Sequence, residues 1–214
     1  MTPAGLIAPT RGHTAALRGT TMALFTPDDT AILLIDHQLG TMSWIGSADH
    51  DEVKANALAL AKAAVALDMP LILTTSLEDH AQGPLLPELA EIAPEQFEER
   101  IQRTGVVDAM DDPAFAAAVK ATGRPNLIIA GVTNDVCTVY PTLTALRQGH
   151  RVQVIADAGG SMTKPADDIA LRRMEKAGAD IASTNMILTQ LARNWSSPAG
   201  QKLLPIVGAL IPTS

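Results

Sequence analysis

Short, unbroken aliphatic runs alternate with segments of helical spacing from residue 31 onward. Ala31–Ile35 reads AILLI, apolar on both faces of a strand, and stops at Asp36. Residues 51–68 set apolar side chains three and four apart among good helix formers, which predicts a helix that Pro70 ends. Leu71–Thr74 (LILT) predicts a second strand, residues 84–93 a short helix or loop, and Phe97–Gln102 a weaker strand. Asp112-Pro113 opens a helix to about Ala121, with Gly123 as its stop. Asn126–Ala130 (NLIIA) is a clear strand, followed by a helix over 135–148 closed by Gly149. Val152–Ala156 (VQVIA), a helix over 166–177 stopped by Gly178, a short strand at Asp180–Ala182 and a helix over 185–194 complete the series.

Buried aliphatic strands alternating with helices imply a mostly parallel sheet covered on both faces. The expected fold is a three-layer α/β/α sandwich around a mostly parallel, doubly wound six-stranded sheet. One domain is expected over residues 28–214, ending in a C-terminal helical tail. Residues 1–27 carry Arg11 and Arg18, no acidic residue and no continuous apolar core of a secretory signal. They are expected to be an N-terminal extension, with Met22 as an alternative start, and to pack on an adjacent subunit.

Composition narrows the function classes. Apolar residues make up 47% and aromatic residues 3%, so the core must be aliphatic. A net charge of -7 offers no basic footprint for nucleic acid or an anionic membrane, and no apolar run approaches a membrane span. The single cysteine excludes an intrachain disulfide and fits a reducing compartment, so a cytoplasmic location is expected.

The chemistry concentrates where ligands bind in such sheets, beyond the carboxyl ends of the strands. In Ala130–Cys137 (AGVTNDVC) a strand ends, a turn follows, and Cys137 falls at the start of the next helix. Unpaired N–H groups and the dipole there favour a thiolate and could hold an oxyanion. Spacing alone leaves open an alternative, a small buried residue on the inner helix face. Asp36 is either a turn acid or a partly desolvated base. Asp157 ends a strand and is expected to satisfy N–H groups of the ADAGG turn.

Together LLIDHQLG, LILTTS, GPLLPEL, IQRTGVVDAMDDPAF, NLIIAGVTNDVC and GHRVQVIADAGG, in order over residues 28–195, resemble the isochorismatase-like cysteine hydrolases. That group includes nicotinamidases, N-carbamoyl amidohydrolases and ureidoacrylate amidohydrolases. The resemblance is nearest to the YcaC-type branch, oligomeric hydrolases without a firm physiological substrate. It implies Cys137 as nucleophile, Asp36 as the base that takes the thiol proton, and a cis peptide between Val132 and Thr133. That bond would aim the Thr133 N–H, with the Cys137 N–H, at a developing oxyanion. The third family position is usually Lys. Here it is Arg103, which does not exchange protons and is left to hold Asp36 and stabilise a thiolate; the alternative for Arg103 is a surface residue beside a turn.

The implied reaction is hydrolysis of a small amide, carbamoyl or related C–N substrate through a thioester, with no cofactor. A homo-oligomer is implied, an octamer of stacked rings being one arrangement, with Met42–Trp44 and Pro84–Pro87 as pocket lining near subunit contacts. Nicotinamidase-like members bind a metal through Asp-x-His and a second His; SLEDHAQG has Asp79 and His80 adjacent, so no metal is expected and His80 should be solvated or at a rim. His37 should point to the opposite side of the strand end from Asp36. Isochorismatases proper lack the cysteine, which argues against vinyl-ether hydrolysis. Two other readings keep the fold: a thiol-reactive or redox protein, and a non-catalytic binding module.

Overall fold

Successive side chains of a strand face opposite sides of the sheet, and the first strand, β1 (Thr30–Ile35), uses this to build two cores. Ile32 and Leu34 enter one, Ala31, Leu33 and Ile35 the other. The same alternation runs through β2 (Leu71–Ser76), β4 (Asn126–Gly131) and β5 (Arg151–Ile155). The computed structural model describes residues 24–211, so the expectation for the N-terminal extension lies, over residues 1–23, outside the described residues.

β3 (Ile101–Arg103) and β6 (Asp180–Ala182) complete a six-stranded sheet in the order β3-β2-β1-β4-β5-β6, every pair parallel. One face is covered by α2 (His50–Ala66), α8 (Thr184–Ala192) and α9 (Pro198–Gly208), the helical tail. The other carries α5 (Pro113–Ala121), α6 (Val139–Arg147) and α7 (Lys164–Ala177). This is the three-layer α/β/α sandwich that the alternation predicted. Helix starts follow capping chemistry: Asp49 accepts from Asp51 and Glu52, and Asp112, with Pro113 behind it, from Ala114 and Phe115.

Short elements depart from expectation. Phe97 is not in a strand: Pro94 at a first helical position starts α4 (Pro94–Glu98), which follows α3 (Glu88–Ile92). The Phe97 ring lies under the Arg100 guanidinium at 4.9 Å, and the strand begins at Ile101. A single turn, α1 (Leu39–Ser43), follows β1 unannounced by any apolar spacing. Among the described residues no helix is long and apolar enough to cross a membrane.

Candidate active site

Register brings three strand ends together. Ile35 of β1 lies opposite Thr74 of β2 and Gly131 of β4, and Ser76 of β2 lies opposite Arg103 of β3. Asp36 therefore emerges between Arg103 and the turn bearing Cys137. Its φ of 59° takes the chain abruptly out of the strand, a conformation that costs roughly 1–2 kcal/mol and that Asp tolerates better than most residues. Thr41 fixes this corner by donating its hydroxyl to the Asp36 carbonyl at 2.6 Å, while the Asp36 N–H donates to the Thr74 carbonyl at 2.9 Å.

Asp36 and Arg103 form a buried ion pair with both side chains 1% exposed. Arg103 Nη2 donates to both Asp36 oxygens, Nε donates to Thr74 Oγ1 at 3.1 Å, and Nη1 donates to the Val106 carbonyl. The guanidinium is thus held at its edges by Thr74 and Val106 with Nη2 directed at the carboxylate. Burial pushes the Asp36 carboxyl above its ordinary range, and the charge and hydrogen bonds of Arg103 oppose that push. Cys137 also hydrogen-bonds the Asp36 carboxylate through its side chain.

Cys137 is half-buried and free. Its thiol is held well above the ordinary range, first by burial, then by the Asp36 charge and the hydrogen bond to it. The Thr133 backbone N–H, directed at the sulfur, and the charge of Arg103 work against this. The expectation of a resting thiolate is therefore corrected: the site holds a thiol beside a carboxylate. The local backbone supplies part of the reason. Residues Asn134–Thr138 form a π-type turn, not the first turn of an α-helix. The Thr133 carbonyl accepts from the N–H groups of Val136 at 3.3 Å, Cys137 at 2.8 Å and Thr138 at 3.1 Å. The Cys137 N–H, expected to be unpaired, is engaged, whereas that of Thr133 faces the sulfur. The Val132–Thr133 peptide is cis.

These groups floor a cleft of about 180 Å³ whose wall includes Trp44, Ser76, Leu77, Gln82, Val107, Val136 and Met162. That lies below the ~300–1,000 Å³ of sites for larger ligands. Of the lining expected from the sequence, Trp44 is present; Met42, Leu85 and Leu86 are instead buried in the core. His80 is exposed. His37 is buried on another side, where its Nε2–H donates to the Ala158 carbonyl at 2.8 Å. Burial lowers its pKa to about 4, so the ring is neutral. Among the described residues no group of three His, Cys, Asp or Glu side chains is placed to hold a metal ion. Asp157 does not serve the ADAGG turn: its Oδ1 accepts from Thr184 N–H at 2.7 Å and Thr184 Oγ1 at 2.8 Å, tying the start of α8 to the sheet.

Several supporting residues escaped the sequence reading. Gln38 brackets Ser76, accepting from its N–H at 2.8 Å and donating to its carbonyl at 3.0 Å. Asn134 Nδ2 and Ser161 Oγ both donate to Asp167 Oδ1, at 3.0 and 2.9 Å, pinning the cysteine turn to α7. Isolated polar residues at the ends of aliphatic runs, Thr74 above all, are the only sequence signal for these.

The parallel sheet, the strand-end placement of the site and the match of the isochorismatase domain family over residues 30–186 show that this chain belongs to that family of hydrolases. It is 40% identical over 168 residues, 78% of this chain and 80% of the relative, to the probable hydrolase YcaC of Escherichia coli. Among solved structures it resembles YcaC from Pseudomonas aeruginosa, described with hexane-2,5-diol and covalent acrylamide (TM-score 0.82, 41% identity, 89% of this chain and 95% of that one). It also resembles the E. coli YcaC gene product, described as an octameric hydrolase of unknown specificity (TM-score 0.80, 37% identity, 87% and 88%).

Proposed function

We propose that this chain is a cysteine-dependent hydrolase of small amide, carbamoyl or related C–N substrates. The observation that carries this is the Cys137 thiol hydrogen-bonded to a buried Asp36 carboxylate that Arg103 immobilises. As Cys137 attacks a carbonyl carbon, its proton passes to Asp36 and the sulfur–carbon bond forms. The carbonyl oxygen, now negative, is met by the Thr133 N–H beside the sulfur. Asp36 returns the proton to the departing nitrogen as the C–N bond breaks, leaving a thioester. Water, deprotonated by Asp36, releases the acid and restores the thiol. Arg103 is a positioning residue throughout, four of its five N–H donors going to Asp36, Thr74 and Val106.

The acrylamide held covalently by the P. aeruginosa relative supports the reading, because acrylamide is an electrophile that captures nucleophiles. The octameric E. coli relative supports a homo-oligomer here. The partner is then a small molecule; neither nucleic acid nor membrane is needed, and a reducing, cytoplasmic setting suits the lone thiol. The test is release of ammonia or amine from a panel of small amides, ureas and hydroxamates, with Cys137→Ala as blank. Turnover confined to the protein with Cys137 supports the reading. Stoichiometric labelling of Cys137 without turnover of any member would replace it with a thiol-reactive role.

A further inference from the structure

The lining of the cleft bears on which substrates fit. Its charged residues, among those described, are Asp36 and Arg103, and these neutralise each other. Nothing is left over to pair with a charge on a ligand. Arg103 has its charge balanced by Asp36, and four of its five N–H donors already go to protein oxygens, with a single Nη1–H left and so no two-pronged grip for a ligand carboxylate. Asp36 likewise holds both Arg103 and Cys137. The remaining wall is apolar, through Trp44, Leu77, Val107, Val132, Val136 and Met162, with the neutral polar groups of Ser76, Gln82 and Thr133 between.

We infer that the site, taken as the hydrolase proposed above, selects uncharged substrates with a short apolar substituent and rejects those carrying a carboxylate or ammonium. The physical basis is desolvation. A charged group entering this cleft gives up water and finds no counter-ion, whereas a methyl or methylene of the same size gains by leaving water. Neutral amide oxygens and nitrogens are served by the hydroxyl of Ser76 and the amide of Gln82, whose side chains have no hydrogen-bond partner among the described residues. The about 180 Å³ of the cleft matches a substituent of a few carbons.

The experiment compares isosteric sets. Butyramide, succinamate and β-alaninamide share an X–CH2CH2–CONH2 frame with X as methyl, carboxylate and ammonium. Propylurea, N-carbamoyl-β-alanine and 2-aminoethylurea do the same for the carbamoyl frame. The neutral member of the productive frame should exceed both charged members in kcat/KM by about 100-fold or more. Two rim variants then narrow the gap in opposite directions. Met162 is 58% exposed, so it tolerates a charge. Met162→Lys should raise the carboxylate-to-neutral ratio roughly threefold to tenfold, and Met162→Glu should raise the ammonium-to-neutral ratio by a similar factor. A charged member turned over as well as the neutral one would overturn this inference and leave the hydrolase reading standing. Failure of all six compounds and of every member of the wider panel would instead sink the hydrolase reading.

Discussion

Removing Arg103 offers the most searching test of how the site is held. In Arg103→Ala the Asp36 carboxylate, 1% exposed, loses its counter-ion and both Nη2 hydrogen bonds. The Val106 carbonyl and the Thr74 hydroxyl each lose a donor. Breaking a buried pair from one side costs about 3–5 kcal/mol, a large share of the ~5–15 kcal/mol that holds a domain together. The deficit should depend on pH with a definite sign. Burial already raises the folded-state pKa of Asp36, and Arg103 is what restrains it. Without Arg103 the pKa climbs further above the unfolded value of ~3.9. The folded mutant then binds more protons than the unfolded chain between those two values, so its stability falls as pH rises through them. Near pH ~4 the acid is neutral in the folded mutant and only about half ionised in the unfolded chain, and the deficit should shrink toward the ~1–2 kcal/mol of the lost neutral hydrogen bonds.

Urea unfolding at pH 4 and pH 7.5, at one protomer concentration so that assembly contributes equally, measures this directly. Activity should follow: as loss of Arg103 lets burial push Asp36 further up, less of it is ionised to take the thiol proton, so turnover near neutral pH should fall by up to about 10²–10⁴-fold and recover in part at higher pH. Arg103→Lys keeps the charge but loses the fork, and should retain the wild-type pH dependence with a smaller deficit. A deficit equal at both pH values would refute the electrostatic account of this pair.

Three further outcomes are expected. Asp36→Asn should lower turnover by about 10²–10⁴-fold and move the Cys137 thiolate titration, followed by ultraviolet absorbance, to lower pH, since the Asp36 charge is among the causes that raise it; an upward move would show the sign to be wrong. Because the folded-state thiol pKa is raised, the wild type should lose stability as pH climbs past the unfolded thiol value of ~8.5, and thermal unfolding of Cys137→Ala should lack that decline. Gly159→Ala would set a Cβ 2.5 Å from both Asn134 Oδ1 and the Gly131 carbonyl. It should cost about 1–3 kcal/mol and reduce turnover of the fraction still folded, measured by urea titration and by rate per folded protein.

The parts of this molecule legible in sequence are those where one physical signal dominates. AILLI, LILT, NLIIA and VQVIA are apolar on both faces, and only a strand covered by helices on both sides wants that pattern. β3 is different: three residues beside a helix turn carry no period, and FEERIQ looked extended until Pro94 decided for α4. Spacing left Asp36, Arg103 and Cys137 ambiguous, and likeness to a known group assembled them. The thiol state is not legible in sequence because burial and the Asp36 charge are tertiary facts, and a π-type turn leaves no residue pattern that sets it apart from an ordinary helix start. The partner of Asp157, 27 residues along the chain, was equally out of reach.

The strand order has a consequence for how the chain could be taken apart. Strands β1, β2 and β3 lie on one side of the β1–β4 seam and β4, β5 and β6 on the other, so the sheet divides at the same place as the sequence. Asp36, Arg103, Thr74 and Val106 belong to the first half, Thr133 and Cys137 to the second. A break at Gly123, where an added Cβ would meet nothing, would yield one fragment with the acid and its clamp and another with the sulfur. On the proposed mechanism neither would turn over a substrate. Rejoined across six parallel register pairs from Thr30↔Asn126 to Ile35↔Gly131, they would regain it together, which makes this enzyme fold a natural split reporter, silent in pieces and read out by its own reaction.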